Sequence, residues 1–358
     1  MRRDKIGMVC APGAAARATL RLEVDRETEG QVLSGTLIDD EGGARYPIVD
    51  GVPRFLSVPD AQDAAYESQS KTTVTFSDKW SKFKSYGMKP TEQEFLQEWY
   101  RKKFGLGSIA ELEAFYGDFG AMLEVGPGSG FNVRFASTHT KGTVCALDIS
   151  DAAFTTYENT CDLDNCLVVQ ADLMAAPFPD DSFDFVMADG VLHHTPDTRK
   201  AVEALYRKVK PGGRFFFYVY KKMGAIRQFA DQHIRESFTK LDPDACYAAC
   251  EPITELGKAL SDLNATVTLT KPIEILGIPA GTHDVQRLFY YNFLKCFWND
   301  AFDYETNNMV NFDWYHPHDA WQHSEEEIVQ WMGALGVTNF QFNDANPNGL
   351  SVMLQKPR

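Results

Sequence analysis

Short apolar runs alternate with amphipathic stretches through the middle of the chain. From about residue 120 the runs AMLEV, TVCALD, CLVVQ, SFDFVMAD and RFFFYVY predict five successive strands. A helix is predicted after the glycines that follow the first run, and another over TPDTRKAVEALYRKV, with Thr195 as its cap and Pro196 at its first position. VKPGG is predicted to be a turn. This alternation indicates an α/β fold with a mostly parallel sheet covered on both faces.

The pattern becomes regular again near the end of the chain. Ser324 and Glu327 form a predicted capping box, and Gly336 is predicted to end the helix that follows. The segments VTNFQFND and LSVMLQ then predict two closing strands. Between the fifth strand and this helix, residues 221–320 interrupt the alternation and carry many aromatic side chains.

The first part of the chain has a different character. Residues 1–57 predict a small β-rich unit with strands at 32–38 and 45–49. The polar stretch SVPDAQDAAYESQSK, residues 57–71, is predicted to be a linker. Two helices follow, one starting at a capping box of Thr91 and Glu94 and one starting near Ser108.

Charge and cysteine content narrow the function classes. The formal net charge is -15, so the chain repels phosphate backbones and general nucleic-acid binding is disfavoured. Seven cysteines without a regular spacing suit a reducing compartment, and we expect a cytoplasmic protein. No apolar run is long enough to predict a membrane span.

The stretch LEVGPGSG, residues 123–130, places three glycines at every second position. Glycine lets the backbone take unusual dihedral angles and approach a ligand closely. The spacing G-x-G-x-G differs from the G-x-G-x-x-G of a nicotinamide site, and a P-loop lysine is missing. Asp148 ends the second strand, where a carboxylate can accept both hydroxyls of a ribose. Asp172 can accept from an adenine amine, and Glu124 can meet an ammonium, directly or through water; together these groups describe S-adenosylmethionine.

Four ordered motifs, LEVGPGSG, CALDIS, ADLMAAPFPDDSFDFVMADGVLHHTPD and VKPGG, resemble the class I S-adenosylmethionine-dependent methyltransferases. The resemblance implies a Rossmann-like seven-stranded sheet. It also implies a set of cofactor-binding residues: Glu124, Gly126, Pro127, Gly128, Gly130, Asp148, Ile149, Asp172, Leu173 and Asp189. The resulting division is a methyltransferase domain at 119–220 and 321–358, a linker with N-terminal helices at 58–118, and a mostly helical, substrate-binding cap at 221–320.

Two histidines follow the fourth strand. His194 is the first candidate for a catalytic base, with His193 beside it, because a neutral imidazole suits proton transfer. The alternative is that VLHHTPD only shapes the turn between strand and helix. In the cap, the candidates for contacts with the acceptor are aromatic or imidazole side chains: Tyr290, Tyr291, Trp298, Trp314, Tyr315 and His316. Alternatively, most of these rings form the core of the cap.

The segment GTLIDDEGGARYPIVDGVPRFL resembles the end of a Trm112-like zinc-ribbon module. Asp39 and Gly42 stand at the expected cysteine positions, and Gly13 replaces the expected partner of Cys10. One ligand of four cannot hold zinc, so residues 1–57 are predicted to be a metal-free remnant. We expect this unit to pack on the catalytic domain or to mediate a homodimer. Trp80 either lies over the cofactor or belongs to the core.

The sequence therefore predicts a methyltransferase that transfers a methyl group to an oxygen, nitrogen or carbon atom of a small organic acceptor. Two alternatives stay open, an RNA methyltransferase and a non-catalytic scaffold that binds the cofactor. The acidic balance argues against the first.

Overall fold

The structure is a computed structural model that describes residues 1–13, 19–56, 64–343 and 347–358, with only the backbone of 64–66. No helix within these ranges has the length and apolar character that a membrane span needs. All seven cysteines lie in them and are free thiols.

Four antiparallel strands form the N-terminal sheet. They are β1 Arg21–Thr28, β2 Gln31–Ile38, β3 Arg45–Val49 and β4 Val52–Pro53. The turn between β2 and β3 is closed by hydrogen bonds of Asp39, whose carboxylate accepts from the amide of Glu41 and whose backbone amide donates to Ala44. In the described part of the chain, no three His, Cys, Asp or Glu side chains are placed to hold a metal ion.

Three helices follow, α1 Ala64–Lys82, α2 Pro90–Lys103 and α3 Ile109–Gly117. Much of the predicted linker, from residue 64 onward, is therefore helix; residues 57–63 lie outside the described ranges. The linker prediction was wrong because the buried face of α1 is polar. Ser68 donates to Asp319, Gln69 donates to Asp172, and such bonds satisfy side chains that sequence reasoning expects in solvent.

The capping box at Thr91 was wrong as well. Helix α2 begins at Pro90, whose fixed φ suits the first turn of a helix, and its N-cap is Lys89, two residues before the predicted cap Thr91. Glu92 is buried and accepts a hydrogen bond from the amide of Gly87 instead. The start of α3 is as predicted, because the Ser108 side chain accepts from the amide of Glu111.

The central sheet confirms the predicted fold class. Its strands are β5 Ala121–Val125, β6 Thr143–Asp148, β7 Cys166–Gln170, β8 Phe183–Asp189, β9 Val209–Lys221, a short β12 Gln322–His323, β13 Phe340–Asn343 and β14 Gly349–Gln355. The order is β13-β14-β9-β8-β5-β6-β7, with β12 paired to β9. Strands β5 to β9 are parallel neighbours, whereas β13 and β14 are antiparallel.

Helices α4 Phe131–His139, α5 Ala152–Thr160, α6 Thr198–Lys208 and α11 Glu325–Ala334 connect these strands. The predicted cap of α6 was wrong, because Thr195 donates its hydroxyl to the carbonyl of Leu192 and Asp197 caps the helix at the amide of Lys200. The predicted turn VKPGG is part of β9, because Gly212 and Gly213 pair with Lys356 near the C-terminus. The capping box of Ser324 and Glu327 is confirmed.

The segment inserted between β9 and β12 is mostly helical. It contains α7 Ala225–Phe238, α8 Pro243–Asp262, the hairpin β10 Thr266–Leu269 and β11 Gly281–Asp284, α9 Val285–Asn292 and α10 Tyr304–Tyr315. Its helices pack mainly on one another, with α8 against α10 and α9. Residues of this inserted segment and residues at the carboxyl ends of the central strands line the same cavity.

Candidate functional site

A cavity of about 340 Å³ lies at the carboxyl ends of the parallel strands. In open α/β sheets this edge is where ligands bind. Side chains from three parts of the chain line it: the N-terminal helices, the central strands and the inserted segment. The cavity is therefore assembled by residues that are far apart in sequence.

The glycine turn borders this cavity at Gly126. Gly126, Gly128 and Gly130 all have φ between 60° and 85°, a region that side chains disfavour, and Gly130 caps the start of α4. The backbone at Gly128 also approaches the ring of Trp80, since a Cβ there would lie 2.5 Å from a ring carbon. Trp80 itself lines the cavity, as one of the two predictions for it required.

Three carboxylates line the cavity at successive strand ends. Asp148, the last residue of β6, uses Oδ1 to accept from the backbone amide and the hydroxyl of Ser150, at 2.8 and 2.7 Å. Burial raises the pKa of Asp148 to about 6. Asp172 accepts from Gln69 at 3.0 Å, and Asp189 forms an ion pair with the buried Lys103. Burial lowers the pKa of Lys103, while Asp189 opposes that shift.

Glu124 lies apart from these three carboxylates. It is 3% exposed and does not line the cavity. Its Oε2 accepts a hydrogen bond of 2.8 Å from the side-chain amide of Asn132. Burial raises its pKa to about 8. The structure thus provides no direct path from Glu124 to a ligand ammonium. Ile149 and Leu173 line the cavity together with Gly126, whereas Pro127, Gly128 and Gly130 are not among its lining residues.

The two histidines differ in position. His194 lines the cavity, and its Nδ1 lies 2.6 Å from the carbonyl oxygen of Asp319. A carbonyl only accepts, so Nδ1 carries the proton and Nε2 carries the lone pair. Burial lowers the pKa of His194 to about 4, and burial also lowers the pKa of His193 well below the usual value of an imidazole. His193 is fully buried against the ring of Tyr220 and does not line the cavity.

The comparisons with known proteins agree with this geometry. Residues 123–217 match the family model described as "Methyltransferase domain". These residues are a methyltransferase domain. The match covers β5 to most of β9, with the glycine turn, Asp148, Asp172 and Asp189 inside it.

Curated relatives match part of the chain. The chain is 33% identical over 120 residues to a ubiquinone/menaquinone biosynthesis C-methyltransferase UbiE of Marinomonas sp., which covers 31% of this chain and 48% of that protein. It is 29% identical over 160 residues to the cycloartenol-C-24-methyltransferase of Arabidopsis thaliana, covering 43% and 42%. The matched segments therefore span less than half the length of these relatives.

Among solved structures, the N-methyltransferase NodS of Bradyrhizobium japonicum WM9, in complex with S-adenosyl-L-homocysteine, aligns with a TM-score of 0.41. The identity is 11%, over 80% of this chain and 100% of that chain. A similarity at this level carries no argument about activity.

The inserted segment contributes fewer of the predicted rings than expected. Tyr290 and Trp314 line the cavity of the methyltransferase domain, whereas Tyr291, Trp298, Tyr315 and His316 do not. Tyr315 is fully buried and donates to the carboxylate of Asp231, and His316 bonds Thr75 and the carbonyl of Leu241. The positions of Tyr315 and His316 therefore agree with the alternative prediction, that these rings belong to the core of the inserted segment.

Sequence reasoning missed several lining residues. From α1 and α2 come Gln69, Thr72, Thr73, Phe76, Lys79, Phe95, Leu96 and Trp99; from the inserted segment come Lys295, Phe297, Phe302, Val310 and Asp313; and Asn348 directly precedes β14. The spacing of Gln69, Thr72, Phe76 and Lys79 is that of one helix face. That spacing could have indicated a helix face in contact with the cavity. Most of the residues on this face are polar, so they were interpreted as exposed to solvent. No motif or periodic pattern around Lys295 or Asn348 in the sequence predicted that these residues would line the cavity.

Proposed function

We propose that this protein is an S-adenosylmethionine-dependent methyltransferase whose acceptor is a small organic molecule held beneath the inserted segment. The observation that carries the proposal is a single cavity shared by two sets of residues. The strand-end acids Asp148 and Asp172 line one part, and Tyr290 and Trp314 of the inserted segment line another.

The side chains at the strand ends fit the cofactor. Asp148 keeps Oδ2 for ribose hydroxyls, because the two bonds from Ser150 go to Oδ1. A Cβ added to Gly190, which lines the cavity, would meet no atom within 4 Å, so the backbone there borders open space. When bound, S-adenosylmethionine supplies an electrophilic methyl group on a positively charged sulfur.

The protein's contribution is chiefly to position the reactants and to exclude water. The apolar and aromatic walls formed by Phe76, Trp80 and Tyr220 suit that role. A base with a pKa near 4 attracts a proton only weakly, so the burial of His194 disfavours a role in proton transfer. We assign His194 to holding the strand-to-helix turn against Asp319, through the bond from Nδ1.

Calorimetric titration with S-adenosylhomocysteine tests the proposal. The wild-type protein is expected to bind it, and Asp148→Ala is expected to weaken binding by about 1–3 kcal/mol through loss of hydrogen bonds to a charged group. Asp25→Ala, which removes an exposed carboxylate of β1, is the matched control and should bind as the wild type does. A folded wild-type protein that releases no heat would refute the proposed function.

A further inference from the structure

Lys295 is a buried lysine that lines the cavity within the inserted segment. It is 6% exposed and lies just after α9. Its Nζ donates to the hydroxyl of Tyr290 at 3.0 Å and lies 4.5 Å from the ring centre of Trp314 and 5.8 Å from that of Phe297. An amine in such surroundings loses most of its hydration, which makes its charge costly unless an anion is near.

The carboxylates near Lys295 are already engaged by other donors. Asp231 on α7 accepts from the side chains of Arg227, Trp314 and Tyr315 and from the backbone amide of Lys295. Among these bonds to Asp231, the one from Lys295 comes from its backbone amide and not from its side-chain amine.

The other carboxylate, Asp313 on α10, is paired with Lys79 at 3.0 Å. Within the described ranges, Lys295 forms no ion pair of its own.

The charge of Lys295 is therefore a surplus positive charge in this part of the cavity. Arg287 adds to that surplus, whereas the charge of Arg227 is offset by its ion pair with Asp231 at 2.6 Å. Arg227 is fully buried, and its Nη2 has no hydrogen-bond partner in the described part of the chain. The guanidinium of Arg287 on α9 lies 5.6 Å from the ring centre of Tyr290. The hydroxyl of the same tyrosine accepts the hydrogen bond from the Lys295 amine. Burial, followed by the charge of Arg227, lowers the pKa of Lys295 to about 7, with Asp231 and Asp313 opposing the shift. An anion placed in the cavity would balance this surplus.

Lys295 lines the part of the cavity that we assign to the methyl acceptor, away from the ribose site at Asp148. Asn348 donates to the same Tyr290 hydroxyl at 2.8 Å, and its carbonyl accepts from Lys221 at the end of β9. Three strand spacings of roughly 4.8 Å separate β9 from β6, which ends in Asp148. The side of the cavity at Asp148 and the side at Lys295 therefore lie near different strands of the sheet, three strand spacings apart.

We propose that Lys295 anchors an acidic group of the methyl acceptor, with Asn348 and Tyr290 beside it, so that the acceptor is a small organic acid. This inference rests on the proposed function and specifies its substrate class. The anion would share the cavity with the cofactor and would lie against Trp314. Pairing with an anion stabilises the ammonium form, so binding near pH 8 takes up to one proton from solvent.

The test is calorimetric binding of benzoate and phenylphosphonate to the protein saturated with S-adenosylhomocysteine, with benzamide as the neutral probe. We expect an acid to bind at least tenfold more tightly than benzamide, and Lys295→Met to abolish that preference while keeping affinity for S-adenosylhomocysteine. Lys295→Arg should restore part of it. Comparing benzoate with phenylphosphonate shows whether a carboxylate or a phosphonate is the group preferred.

Lys258→Met is the matched control. Lys258 also lies over a tryptophan ring of the inserted segment, 5.5 Å from Trp298, but it is outside the cavity, so its loss should not change binding of the acid. Titrating wild type at pH 8 in two buffers of different ionisation enthalpy measures the proton uptake without any variant.

Three results would each overturn this inference and leave the proposed function intact. They are equal binding of acids and benzamide, an unchanged preference for acids in Lys295→Met, and absence of proton uptake. Absence of S-adenosylhomocysteine binding by the wild type would instead refute the proposed function, which keeps the two failures distinct.

Discussion

At the scale of single residues, burial decides the charge that each candidate group carries. Asp148 and Glu124 are both carboxylates, yet burial raises the pKa of the first to about 6 and of the second to about 8. At pH 7 Asp148 is therefore mostly ionised and Glu124 mostly protonated. The sequence shows the acids, but the degree of burial, which the fold determines, sets their protonation.

His194 makes stability depend on pH. Its pKa is about 4 in the folded protein and about 6.5 when unfolded, so the unfolded chain takes up a proton first as pH falls. At about 1.4 kcal/mol per pKa unit, the free energy of unfolding should fall by up to roughly 3 kcal/mol between pH 6.5 and 4. His193 adds to the same trend.

Denaturant unfolding at a series of pH values measures this effect. His194→Gln should lose less stability than wild type on acidification from pH 6.5 to 4, because glutamine does not titrate. His233→Gln, at an exposed histidine of α7, should follow the wild-type curve. Parallel curves for His194→Gln and wild type would contradict a buried, neutral His194.

At the scale of elements, the glycine turn shows how local sequence and tertiary contact combine. The turn is readable from LEVGPGSG, because left-handed dihedral angles favour glycine wherever they occur. What the turn contacts is not readable from it. Trp80 comes from α1, a helix whose buried polar face resembles a solvated linker.

Gly128→Ala tests the contact between the turn and α1. Alanine in a left-handed conformation costs about 1–2 kcal/mol, and the clash with the Trp80 ring should add about 1–3 kcal/mol. Gly277→Ala is the control, because Gly277 has a similar φ of 67° and a Cβ there would meet no atom within 4 Å. Thermal unfolding should show a clearly larger loss for Gly128→Ala. Equal losses would mean that Trp80 does not pack on the turn.

At the scale of the whole molecule, the N-terminal sheet and the methyltransferase domain share one hydrophobic core. Val32, Leu37 and Ile48 belong to the same buried cluster as Leu123 and Val169 of the central sheet. Backbone bonds also join the two, from Cys10 to Pro177 and from Phe55 to Gln170. Packing of the N-terminal unit on the domain agrees with one of the two predictions for it; a homodimer stays a prediction.

Leu37→Ala should therefore destabilise the whole protein, not only the N-terminal sheet. Leu37 is fully buried, and such a truncation costs about 2–5 kcal/mol. All six tryptophans lie after residue 57, so tryptophan fluorescence reports on the rest of the chain. The fluorescence transition should shift to lower denaturant in Leu37→Ala and stay unchanged in Ile275→Ala, at an 89% exposed position. An unshifted Leu37→Ala transition would show that the N-terminal sheet unfolds independently.

The sequence by itself determined the strands of the central sheet, the glycine turn and the acids at the strand ends. Each depends on near neighbours: apolar runs, glycine dihedral angles, and the strand that carries the acid. Only the tertiary structure decided that α1 is a helix, that Glu124 bonds Asn132 and does not line the cavity, and that Lys295 and Asn348 both donate to the hydroxyl of Tyr290. These features depend on contacts between residues far apart in sequence, and a polar residue does not reveal locally which distant partner will satisfy it.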